Sequence, residues 1–91
     1  MERFEPKMLA WSRAGHDKGQ LYVIWKVDGE YVFLTDGNLR PLEKLKKKKS
    51  KHIQVIRNIP EELRTMTETT IKNEDIRRVI RRFGNVESRC N

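Results

Sequence analysis

Apolar residues recur along this chain with two different periods. Over the first sixty positions the period is two. Residues 8–13, 20–27 and 30–35 are short runs rich in aromatic and β-branched residues, separated by Gly-containing breaks, the pattern of consecutive antiparallel strands. In the second run Leu21, Val23, Trp25 and Val27 alternate onto one face while Tyr22 and Ile24 occupy the other. That strand is therefore covered on both sides for part of its length, as in a sheet that curls and closes on itself. Asp28 and Gly29 tolerate positive φ and predict a tight type I′ hairpin. A second turn at 36–38 leads to a short extended piece over 39–42, placed at an edge because Pro41 has no N–H for a ladder. After a lysine run, alternation resumes at 52–56, with Ile53 and Val55 sharing a side.

Beyond residue 58 the period becomes helical. A turn or two is predicted from Pro60, which suits a first helical position. A Thr-rich interruption follows at 65–70, and then a helix with Asn73 as N-cap, Glu74 and Asp75 in its first turn and Gly84 as its left-handed stop. Ile76, Val79, Ile80 and Phe83 fall on one arc of that helix, opposite Arg77, Arg78, Arg81 and Arg82. Five short strands are too few for a two-sheet sandwich and suit a small, partly open barrel. The predicted organisation is mainly β: a five-stranded barrel over 1–58 with a basic loop at 43–51, and a helical extension over 59–91 with room for disorder.

Composition adds bounds. Ninety-one residues make one domain with a small core and little room for an enclosed catalytic cavity. The single Cys, Cys90, cannot form an internal disulfide, no apolar stretch approaches the ~20 residues of a membrane span, and the charged first residues lack the apolar segment of a signal peptide. These features point to a cytoplasmic protein without a membrane partner and, when free, a monomer.

Charge changes the picture more. The net charge of +7 is concentrated between Arg40 and Arg57, where eight Lys or Arg residues face the single carboxylate of Glu43. The flanking segments 1–39 and 59–91 sum to −1 and +1. Blocks of like charge are commonly solvated and disordered when free. Four consecutive lysines nonetheless repel one another at a cost that a bound polyanion would offset, and solubility requires no such concentration. A nuclear-type targeting signal would use the same residues.

Residues 8–36 then resemble a KOW motif: a strand, a turn of Gly15, His16, Asp17, Lys18 and Gly19, and a strand beginning Gln20, Leu21, Tyr22 and Val23. With the 32–37 segment and the lysine-rich continuation, residues 7–56 are similar to small bacterial KOW-domain RNA-binding proteins related to the eukaryotic and archaeal large-subunit ribosomal protein of the fourteen-e type. The chain departs from the commonest form in placing Trp11 and Ser12 where simple aliphatics are usual. The resemblance implies an SH3-like barrel that binds RNA through its loops, with Gly19 permitting the turn and Lys18 available to phosphate.

The expected function is accordingly non-catalytic RNA binding, associated with the ribosome or translation. Ribosomal RNA is the expected partner, with ribosomal proteins as neighbours. Lys44, Lys46, Lys47, Lys48, Lys49 and Lys51 would neutralise phosphates, and Arg13, His16, Lys18 and Arg40 would orient the barrel. Gly15, Asp17 and Gly19 would shape the turn. Lysines supply charge and little sequence readout, so recognition would be of RNA shape; with about five phosphates engaged, log K falls with log salt at a slope of about −3.5 to −4.5. The alternative is a protein-interaction module of the transcription or translation machinery. Most of Trp11, Tyr22, Trp25, Tyr31 and Phe33 must serve the core, leaving Trp11 or Tyr22 as a base-stacking candidate. His16 beside Asp17 is ordinary turn chemistry rather than an acid–base pair, and two His and one Cys without ligand spacing make no metal site. Neither catalytic residues nor a cofactor are expected.

Overall fold

The computed structural model describes residues 4–56 and 59–89, the last five as helix backbone alone; Arg57 and Cys90 lie outside the described residues. Five strands form: β1 (Leu9–Ser12), β2 (Leu21–Asp28), β3 (Tyr31–Thr35), β4 (Lys46–Lys49) and β5 (Ile53–Ile56). They make one antiparallel sheet in the order β4-β3-β2-β1-β5, and a 3-10 turn, Ser50–His52, joins its two edges. That connection bends the sheet. Five flat strands would hold their edges about 19 Å apart, whereas the four residue steps from Lys49 to Ile53 span at most about 14 Å. The sheet curls, but its edges are not paired to each other.

Four strands fall within a residue of their predicted limits; the fourth does not. Residues 39–42 form no strand, because the local backbone groups are used otherwise. The Asp36 carboxylate accepts from the N–H groups of Asn38 and Arg40 at 2.9 and 2.8 Å, the Arg40 carbonyl accepts from the Thr35 hydroxyl and the Asp36 N–H, and Lys44 N–H closes a turn onto Pro41. The strand is instead the lysine run, so the centre of the predicted basic loop at 43–51 is extended and paired, with Lys46 to Lys49 opposite Leu34, Phe33, Val32 and Tyr31. An edge is where a lysine strand is tolerated, since alternate stems, those of Lys47 and Lys49, can keep their ammonium groups near water.

Each face of the sheet carries its own core. Inside the curl Ala10, Tyr22, Ile24, Val32, Leu34 and Ile53 pack together. On the outer face Leu9, Leu21 and Val23 meet Leu63 of the one-turn helix α1 (Glu61–Arg64), then Ile71, and Ile76 and Val79 of helix α2 (Asn73–Arg89). The second cover of β2 is thus this helix, not the sheet closing on itself. Ile80 and Phe83 complete the predicted apolar arc at the margin of that cluster. Burying Ile76 and Val79 contributes about 1.5 to 3 kcal/mol each, enough to fix α2 on the sheet despite its charged outer side.

Local chemistry moves several predicted details. The pairing of β2 with β3 shifts between Ile24 and Lys26, a bulge at Trp25 that turns Val27 from the outer face to the inner cluster. Asp28 pairs with Tyr31, so the hairpin's two central residues are Gly29 and Glu30; φ is positive only at Gly29, the pattern of type II′ rather than I′. The α2 N-cap is Lys72, whose N–H donates to the Asp75 carboxylate at 2.9 Å, because the Asn73 side chain is engaged with Leu42 N–H and Glu43. Gly84 does not adopt positive φ, and the helix continues to Arg89. A helix-interior Gly costs only about 1 kcal/mol relative to Ala.

Gly37 is different. Its φ is +73° and a Cβ there would collide with the Asn73 carbonyl oxygen, so the turn after β3 lies directly under the start of α2. Arg77 donates to the Gly37 carbonyl at 2.6 Å and fastens the same contact.

Candidate functional site

Alternation along β4 sends its four lysines two ways. Lys46 and Lys48 stand opposite Leu34 and Val32, on the face turned into the curl. Their ammonium groups converge on Asp17, carried by the loop between β1 and β2. Gly15 and Gly19, at φ +88° and +90°, let that loop fold back, with Lys18 N–H on the Gly15 carbonyl and Gly19 N–H on the Ser12 carbonyl. One Asp17 oxygen accepts from Ser12 Oγ at 2.8 Å and Lys48 Nζ at 2.7 Å; the other accepts from Tyr22 Oη at 2.8 Å and lies 3.1 Å from Lys46 Nζ. Lys48 Nζ also donates to the Ala14 carbonyl at 3.0 Å. Side chains therefore tie the edge strand β4 to the β1–β2 loop, with which it has no backbone pairing.

These groups are poorly hydrated: 10% of the Lys48 side chain, 13% of Asp17 and 25% of Lys46 is exposed. Burial alone would raise the Asp17 carboxyl. The hydrogen bonds from Lys48, Ser12, Tyr22 and Lys46 outweigh it and hold the group well below the usual carboxylate range. Burial, with the bond to this carboxylate, pushes the Tyr22 phenol well above its usual value. Asp17 is thus an ionised anchor rather than merely a turn former.

The other two lysines face outward. Lys47 Nζ sits 4.3 Å from the centroid of the Tyr31 ring, and Lys49 Nζ lies 3.9 Å from Glu30 in an exposed pair worth at most about 1 kcal/mol. Lys44 and Lys51 are exposed on either side of the strand. An open groove of about 550 Å³ follows β4, lined by Ala14, Gly15, Tyr31, Lys46 to Lys49 and His52. No carboxylate is among the lining residues, since Asp17 lies beneath Lys46 and Lys48.

The other predicted residues divide. Arg13, His16 and Lys18 are exposed on the 13–20 loop, which Arg13 N–H ties to the His52 carbonyl at 2.8 Å, so they border the groove's Gly15 side. Arg40 belongs to the 36–45 loop and does not line the groove. Tyr22 is 4% exposed and committed to Asp17, so it offers no stacking face; Trp11 packs against the α2 cluster. The α2 arginines are largely engaged within the fold: Arg77 with Gly37, Arg78 with Asp75 and Arg82 with Glu62.

Tyr31 and His52 were not singled out as site residues by sequence. Their signal was weak: Tyr31 sits in a run whose aromatics mostly serve cores, and His52 begins a strand. Among the described residues no cluster of His, Cys, Asp and Glu suits a metal, and no helix is long and apolar enough to cross a membrane. No protein-family model and no curated protein matches this chain.

Proposed function

We propose that this chain is a non-catalytic RNA-binding domain of the SH3-like, KOW type that holds RNA phosphates along β4. The observation that carries this reading is the groove: four lysines, an aromatic ring and a histidine line it, and no carboxylate does. The barrel assignment rests on the strand order and on the 3-10 turn that links the two edge strands. Lys47, Lys49, Lys44 and Lys51 supply the phosphate contacts, with Arg13 and Lys18 on the neighbouring loop. Lys46 and Lys48 contribute less, because Asp17 already neutralises part of their charge. Ribosomal RNA in the cytoplasm is the ligand this reading favours, since point charges recognise a fixed phosphate arrangement better than a base sequence.

Salt titration tests it. With about four phosphates engaged, log K falls with log salt at a slope of about −3 to −3.5. Replacing Lys44, Lys47, Lys49 and Lys51 with Gln flattens the slope while thermal unfolding stays cooperative, and sedimentation of cell extract shows the protein with ribosomes at low salt and free at high salt. A wild-type slope near zero overturns the reading.

A further inference from the structure

The groove's aromatic side chain supports a finer assignment, which rests on the RNA reading above. We infer that the groove takes an unpaired stretch of RNA, with one base stacked on the Tyr31 ring and the flanking phosphates on Lys47 and Lys49. Tyr31 stands at the start of β3, diagonal to Lys47 and directly opposite Lys49, so one ring lies beside two ammonium groups on the same outward face. The ring is half-buried, and the Lys47 ammonium, a flexible group that a base can displace, stands 4.3 Å from its centroid. On displacement Lys47 exchanges a cation–π contact for a phosphate, so its charge stays paired while the π-face becomes available.

The opposite wall points the same way. Gly15 presents no side chain, and Ala14 only a methyl, so a ribose-phosphate strand can approach the loop backbone closely. A groove of about 550 Å³ is in the range of pockets that hold a small ligand such as a nucleotide. Phe33, the next outward aromatic along β3, is covered by Lys26 at 5.5 Å and does not line the groove, which leaves Tyr31 as the stacking surface.

The full chain is titrated by fluorescence anisotropy with a labelled single-stranded RNA of about ten nucleotides, and with the same RNA annealed to its complement. The single strand binds tighter. Tyr31→Ala weakens single-strand binding at least about fivefold without changing the salt slope, Tyr31→Phe retains wild-type affinity, and Lys47→Gln lowers the slope by about one phosphate. Cooperative unfolding of each variant by circular dichroism shows that the fold is intact. Equal affinity for duplex and single strand, or an unchanged affinity in Tyr31→Ala, overturns the stacking assignment while leaving phosphate binding standing. Failure to bind either RNA overturns both.

Discussion

The Asp17 carboxylate and the Lys48 ammonium, thirty-one residues apart in the chain, meet at 2.7 Å. The contact joins the β1–β2 loop to an edge strand and neutralises, inside the curl, charge that the sequence assigns wholly to the surface. Asp17→Asn removes the anion from beneath two lysines and puts an NH2 donor where one acceptor oxygen stood, so Lys46 and Lys48 lose their counter-charge. The expected loss is about 2 to 4 kcal/mol in urea unfolding. The double variant with Lys48→Met loses less than the sum of the single changes, since the methionine removes the charge that Asp17 serves. Additive losses would show that the two groups do not act as a pair.

Acid unfolding reports the same carboxylate. Asp17 has an ordinary value of 3.8 and a folded value below it, so under acid conditions the unfolded chain binds a proton that the folded chain refuses. Its contribution is present above about pH 5 and is lost as pH falls through 3.8 and below. The Tyr22 phenol acts with the opposite sign: its folded value lies above the ordinary 10.0, so its contribution is complete below pH 10 and is lost as pH rises beyond it. Thermal midpoints recorded from pH 2 to 11 should fall at both ends. In Asp17→Asn the acid limb is shallower, and in Tyr22→Phe the alkaline limb is.

Two glycines with the same sign of φ should respond unequally to alanine. At Gly29 a Cβ meets open space, and the cost is the conformational strain alone, about 1 kcal/mol. At Gly37 the same methyl collides with the Asn73 carbonyl and crowds Ile76 and Arg77, and relief requires α2 to move off the sheet. Gly37→Ala is expected to cost at least about 3 kcal/mol and to raise amide exchange across the first turns of α2. Similar losses at the two positions would mean that α2 does not press on this turn.

Helix α2 is part of the core. Ile76 is fully buried between α2 and Leu9, Leu21 and Val23, and Ile76→Ala should destabilise by about 2 to 5 kcal/mol. Ile80→Ala, at the margin, should cost clearly less. A chain ending before Asn73 exposes the outer apolar face of β1 and β2 and is expected to bind a hydrophobic dye or aggregate, checked by fluorescence and light scattering.

Much of the fold is legible in the sequence where each position differs from its neighbours. Leu21, Tyr22, Val23 and Ile24 alternate between two cores as their pattern indicates, and the Ile76, Val79, Ile80 and Phe83 arc turns inward. Legibility fails at Lys46 to Lys49, because four identical residues have no period. The sheet takes this segment as a strand only because Asp17, Tyr31 and the apolar residues of β3 meet its alternate side chains. The basic concentration was visible, but its division into two inward lysines bound by Asp17 and two outward ones depends on pairing across the fold. Trp25 misleads in a similar way, since one bulged residue reassigns Val27 to the other face.

The lysine edge also bears on how molecules of this protein meet one another. β4 is a terminal strand, with hydrogen-bonding groups on its outer side that a second β4 could satisfy. Such a pairing would bring the outward Lys47 and Lys49 of one copy to within about a Debye length, about 8 Å, of those of the other, so the edge repels its own kind. A polyanion laid along it removes that repulsion. Turbidity measured against added RNA is therefore expected to rise towards charge equivalence, where the edges are neutralised, and to fall again when excess RNA gives the complexes a negative charge.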